Sequence, residues 1–259
     1  MDVKNQMMKN FIKTYWKTLL FFAVMGLLGG FCTGLYLMDS YPADVQQQLL
    51  TQGLNETTLG LVTAVQAVGY GVVLGAVGIL LGKKTGLWRD ETVIRGKPLG
   101  ISLAVSLAGG LALILPDVLF FGHHCEAIMD SYAAKPAIPY LIGTVTYGAV
   151  IEEVMLRLFW MTLIAFLLHK LFDRKSEAPG ASILIAANVI AALLFAAGHL
   201  PATFQLFGDS PMIILRCFLL NGGLGFLFGE LYRRYGLRYA MIAHGGCHIV
   251  SKLIWILFI

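Results

Sequence analysis

The sequence predicts an all-α fold, a polytopic transmembrane helical bundle around a polar intramembrane cavity, on three observations. Apolar residues make up 58% of the 259-residue chain and charged residues only 13%, with a mean hydropathy of +0.75. That is too little charge to cover a soluble domain of this length. Apolar stretches of about 20 residues, enough to cross a hydrocarbon core, recur from one end of the chain to the other. The connections between those stretches alternate in charge.

The apolar stretches predict seven spans, 18–38, 58–82, 98–121, 138–168, 182–200, 211–231 and 238–258. Lys4, Lys9, Lys13 and Lys17 precede the first. A lysine-rich start before an apolar run resembles a secretion signal, but this run is long and no small-residue cleavage site follows it, so it reads as a retained span. Residues 42–52, and 86–97 with Trp88 and Ile94, each read equally as a short surface helix or as a solvated loop. Glycines four apart (Gly26, Gly30 and Gly34; Gly71 and Gly75; Gly78 and Gly82; Gly225 and Gly229) predict close helix packing. The fifth span is expected to stop just before Pro201.

Charge sets the orientation. The N-terminal tail, residues 83–97, residues 169–181 and the connection bearing Arg233, Arg234 and Arg238 hold 15 of the 19 Lys and Arg residues. The other side carries Asp39, Asp44, Glu56, Glu126, Asp130 and Asp209, with Lys135 as its clear loop cation. The positive-inside bias places the N-terminus in the cytoplasm and the C-terminus outside. No soluble segment is long enough to fold alone, so residues 1–259 are expected to form one membrane domain. A net charge of +4 gives no reason to expect a nucleic-acid partner. Of the four cysteines, Cys32, Cys217 and Cys247 lie in apolar runs; a Cys125–Cys217 bridge would require both to meet at the outer face.

Ionisable residues concentrate in the second half. Glu152, Glu153 and Arg157 lie within the fourth span, where each charge opposes insertion by about 2.5–3.5 kcal/mol. Glu153 and Arg157, four apart on a helix, are expected to pair; Glu152 points about 100° away and has no partner along the helix. A register-fixing ion pair accounts for the first two and leaves Glu152 over. Phe195 and His199 share a face of the fifth span, and His244 and His248 share a face of the seventh. Without water, polar groups on separate helices must find each other.

Two chemistries stay open for that set. A buried carboxylate takes a proton from water while histidines orient the water and stabilise the oxyanion, which hydrolyses a peptide without a covalent nucleophile. Alternatively, His244 and His248 have the spacing of helical zinc ligands, and His199 and Glu152 complete a set of four. The HExxH arrangement is absent. A proton-coupled carrier requires polar residues through both membrane halves, and the first three spans offer almost none.

Glu152-Glu153-x-x-x-Arg157, Phe195-x-x-x-His199 and His244-x-x-x-His248, in order and each in its own span, resemble the three motifs of the CAAX protease and bacteriocin-processing family, also called CPBP or Abi. The resemblance covers residues 138–258; residues 1–137 carry no motif. It implies an intramembrane endopeptidase of a bacterial plasma membrane, acting on membrane-associated or lipid-modified peptides. By position it implies Glu152 as general base with His199, His244 as oxyanion donor, and Glu153 and Arg157 as support. The third motif usually ends in Asn or Asp, and His248 departs from that. The departure keeps two alternatives in play, a zinc-dependent protease and a catalytically silent relative serving as a binding or immunity scaffold.

Counted at 1.5 Å per residue, Glu152 and His199 fall about 25 Å from the basic ends of their spans and His244 only about 10 Å. The fourth span is therefore expected to project into the cytoplasm, or the helices to tilt. Among weaker features, His123, His124, Cys125 and Glu126 form a loop cluster with metal-ligand chemistry. Asp117 and Arg216 are expected at the outer surface, Gln66, Asn188 and Asn221 as interhelical hydrogen-bond donors, and Asn188 as a lining residue of the polar cavity.

Overall fold

A computed structural model describes residues 3–90 and 93–259 of the chain. Among the described residues it contains no strand, one short 3-10 helix (Phe121–His123) and nine α-helices, three of them continuous through π-helical turns. They are α1 (Val3–Ser40), α2 (Ala43–Thr51), α3 (Glu56–Thr85), α4 (Gly96–Leu119), α5 (Glu126–Ala133), α6 (138–172), α7 (Ala181–Phe207), α8 (Pro211–Tyr235) and α9 (Leu237–Phe258). Six of them, α1, α3, α4, α7, α8 and α9, are long and apolar enough to cross a membrane. These coincide with six of the predicted spans. The predicted fourth corresponds to α6, helical throughout but carrying Glu152, Glu153 and Arg157 in its middle.

Two local signals explain where helices begin. Asn55 caps α3, its side chain accepting from the Thr58 N–H at 3.0 Å while the Thr58 hydroxyl accepts from the Asn55 N–H at 2.7 Å. Ser210 caps α8, with Pro211 following at the first helical position. At the α8–α9 corner a single residue joins two long helices; Gly236 takes φ +102° there, a conformation that only glycine adopts easily.

Most glycine ridges pack as expected. Gly26, Gly30 and Gly34 bring α1 onto the backbone of α3, where the Thr63 hydroxyl donates to Gly30 O at 2.8 Å. Outward-facing residues are apolar; Leu27, Val65, Leu107 and Leu193 are all at least half exposed within their helices. A water-soluble surface would not tolerate so continuous an apolar coat.

The structure decides two readings that the sequence left open and corrects others. Residues 86–90 and 93–95 form no surface helix, Glu91 and Thr92 lying outside the described residues. Residues 43–51 do form one. Helix α7 continues through Pro201 to Phe207, so His199 lies eight residues inside its end. Arg216 does not reach for the surface; it chelates the fully buried Asp117 at 2.5 and 2.6 Å, and the Tyr132 hydroxyl donates to the same carboxylate at 2.8 Å. Charges distant in sequence neutralised one another, which hydropathy alone does not reveal. Gln66 and Asn221 bond within their own helices, to Tyr70 and Cys217, and only Asn188 crosses between helices. All four cysteines are free thiols.

Contacts tie the helix ends into two groups. At one end Gln205 donates to Ser40 O and Lys135 to Ile256 O. At the other, Arg89 donates to Arg233 O and Arg238 to Val93 O. Helix α6 reaches both, through Tyr140 against Tyr36 and Phe166 beneath Lys84. The main buried cluster draws residues from Tyr15 to Cys247, so the early and late helices share one core.

Candidate active site

Helix α6 is where the local backbone departs from a regular α-helix. Two π-helical segments, Thr144–Glu152 and Val154–Met161, flank Glu153. A π turn fits an extra residue into the helix and rotates everything beyond it, and such turns concentrate at functional sites. The Thr162 hydroxyl donates to the Arg157 carbonyl at 3.1 Å, occupying an acceptor that the widened turn displaces.

From this segment two carboxylates reach α9. Glu153, fully buried, accepts from His244 Nδ1 at 2.9 Å and pairs with Arg157 at 3.1 Å. Glu152, with 21% of its side chain exposed, places Oε2 at 3.9 Å from His244 Nε2. One imidazole therefore lies between two carboxylates. The contact also answers the depth mismatch, since α6 and α9 meet here at one level and α6 runs on to Phe172 at the basic end.

Aromatic rings enclose the charges. Phe228 of α8 stacks on His244 at 4.6 Å, with 17° between the planes. The Arg157 guanidinium lies over Phe195 at 4.7 Å and over Phe228 at 5.6 Å, and donates to Gly225 O at 2.8 Å. Gly225 is needed for that approach: a Cβ there would sit 3.0 Å from the Phe195 ring and 3.1 Å from the guanidinium. In a site of low dielectric, the ion pair, ring faces and carbonyl together hold the cation, with Arg157 Nη1 and Glu153 Oε2 left without a hydrogen bond.

The remaining histidines border the same region. His199 Nδ1 contacts its own helical carbonyl, Phe195 O, at 2.8 Å, leaving Nε2 as the nitrogen available for chemistry. The Phe195 ring lies between His199, at 4.7 Å, and His244, at 6.0 Å. No hydrogen bond or ion pair joins His199 to Glu152 among the described residues. His248 stacks on His244 at 5.0 Å, and its Nδ1 is buried without a hydrogen-bond partner. Gly148, one turn before Glu152, faces both rings: a Cβ there would lie 3.1 Å from His248 Nε2 and 3.8 Å from His244 Nε2.

The geometry tests the metal reading directly. A zinc ligand aims a ring nitrogen at a point about 2 Å away; His244 and His248 both turn Nε2 toward Gly148, with their rings stacked at 5.0 Å and His244 Nδ1 held by Glu153. Among the described residues no three His, Cys, Asp or Glu side chains are grouped to hold an ion, the loop residues His123, His124, Cys125 and Glu126 included. Two histidines without a third grouped ligand do not make a zinc site in this arrangement.

Sequence reasoning missed the second bond of Glu153, the ring of Phe228, and the roles of Gly148 and Gly225. Gly225 was legible only as one of a packing pair. Asn188 was placed too near: it donates to Phe226 O at 3.0 Å and Glu230 at 3.4 Å, in a separate polar group that also holds Arg233 and Arg234.

A helical bundle with an apolar coat and six helices long enough to cross a membrane defines a polytopic membrane protein, within which a Glu–His–Arg cluster is buried. Residues 134–250, slightly under half of the chain, match the family model described as type II CAAX prenyl endopeptidase Rce1-like. That family is the one the three motifs resemble, and all six candidate residues fall inside the matched segment. The match supports a CAAX-type intramembrane endopeptidase and an integral membrane location. No curated protein and no solved structure matches the chain.

Proposed function

We propose that this protein is an intramembrane endopeptidase that hydrolyses membrane-associated or lipid-modified peptides with a water activated by Glu152. The observation that carries the reading is His244, bonded through Nδ1 to Glu153 and presenting Nε2 3.9 Å from Glu152. One water about 2.8 Å from each atom closes that gap at roughly a right angle. Glu152 is the more accessible carboxylate and takes the proton as the water attacks the scissile carbonyl. His244, oriented by Glu153 through Nδ1, turns Nε2 to the reacting centre, where the oxyanion forms. Arg157 balances the charge of Glu153.

As the C–N bond breaks, Glu152 returns that proton to the leaving amine; His199 turns its free Nε2 toward the attacking water, and His248 faces the oxyanion across the bare Cα of Gly148. The chain threads the membrane seven times with its N-terminus inside; the two sets of helix-end contacts support the threading and the charge bias of the connections supports the orientation. Residues 1–259 act as one membrane domain, with 138–258 as its protease-like core and the first three spans as a buttress. The test is cleavage of membrane-anchored peptides by the purified protein, with product ends read by mass spectrometry and Glu152→Gln as the control. Intact substrate with the parent protein would favour the silent, scaffold-like relative that His248 also permits.

A further inference from the structure

At the basic end of the bundle two adjoining cavities, of about 370 and about 350 Å³, share Arg89, Tyr235 and Tyr239 as a common wall. They lie between α1, the 86–95 connection and the α8–α9 corner. The first is lined on its inner side by Phe21, Phe22, Leu237 and Met241, an apolar slot open beside the membrane helices. The second is lined by Arg89, Arg95, Lys97 and Arg234. Residues 83–97 and 230–238 together hold eight cations against three carboxylates, Glu91 among them.

Two of the cations are held in a telling way. Arg89 donates to Arg233 O at 3.4 Å, its stem lying over Gly236, and Arg238 donates to Val93 O at 3.3 Å. A backbone carbonyl fixes a guanidinium without neutralising it, and leaves other N–H donors of the fork for a further acceptor. Of the described carboxylates, Asp90 lines the first cavity but is held by its own partners, accepting from Trp88 at 2.7 Å and Tyr15 at 2.8 Å and facing Lys83 at 3.8 Å, and Glu230 is shared by Arg233 and Arg234.

We infer that this paired cavity binds an anionic phospholipid, its phosphate between Arg89 and Arg238 and an acyl chain in the slot beside Phe21, Phe22 and Met241. Basic pockets between membrane helices recognise lipid headgroups in this manner, and the tyrosines and Trp88 sit where headgroup meets chain. The inference is independent of the endopeptidase reading.

The test is native mass spectrometry of the full chain in neutral detergent, titrated with palmitoyl-oleoyl phosphatidylglycerol or the matching phosphatidylcholine. The parent should retain phosphatidylglycerol at least about tenfold better, and Arg89→Gln with Arg238→Gln should remove that preference, roughly fivefold per arginine. Arg174→Gln with Lys175→Gln, on the same basic side but away from the cavities, should leave it unchanged. Equal retention of the two lipids, or equal loss in both double variants, overturns the inference. So does displacement of the lipid by equimolar inorganic phosphate, which would mark a free-anion site. Should the arginine variant fail to fold, exposed Lys97→Gln gives the same reading, and an unchanged preference there counts against the site.

Discussion

Glu153 on α6 and His244 on α9, 91 positions apart, share a hydrogen bond of 2.9 Å whose acceptor also carries the Arg157 ion pair. One carboxylate thus fixes the ring and balances the buried cation. Its neighbour Glu152 sees the other edge of the same ring. That division of labour makes the following outcomes measurable.

Gly225→Ala should lower thermal stability by about 1–3 kcal/mol, because overpacking at this point has no soft neighbour to yield. Its Cβ would press on Phe195 and the Arg157 guanidinium, both held in place. Gly223→Ala, whose Cβ would meet nothing within 4 Å, should be neutral. Detergent melting curves of the two variants give the comparison.

Gly148→Ala should reduce cleavage by more than its loss of stability accounts for. The side chain would occupy the space that His244 Nε2 and His248 Nε2 both face. Peptide turnover measured beside the melting curve separates the two effects; a parallel fall in both would mean that Gly148 serves packing alone.

His248→Asn restores the residue usual at this motif position and should keep activity within about 10²–10³ of the parent, the range for losing one oxyanion donor. Chelators should leave both proteins unchanged. Elemental analysis showing one equivalent of zinc in the parent, lost in the variant together with activity, would reverse this reading.

The threading predicts that cysteines placed at Gln47 and Lys135, in a Cys125→Ser background, label from outside intact cells, while one at Ser176 does not. All three positions are exposed. Outside labelling at Ser176 would refute the orientation.

Much of this was legible in the sequence because its physics is local. Apolar length marked six helices to within a few residues at most ends, and the expense of burying charge singled out Glu152, Glu153, Arg157 and the histidines. What was illegible depends on geometry that hydropathy does not encode. The π-helical segments around Glu153 shift which face each carboxylate presents, so straight-helix counting could pair Glu153 with Arg157 but not with His244. The Asp117–Arg216 pair, 99 positions apart, was read as two surface residues because no local pattern links them.

The most direct test of the central claim is the paired comparison of Glu152→Gln and Glu153→Gln for abundance and peptide cleavage. Glu153→Gln removes the counter-charge of a buried arginine and the anchor of His244, and should cost about 3–5 kcal/mol of stability. Glu152→Gln should fold like the parent and lose at least about 10²-fold in cleavage, the lower range for removing a general base. A Glu152→Gln protein that still cleaves within about tenfold of the parent would contradict the assignment of Glu152 as the base.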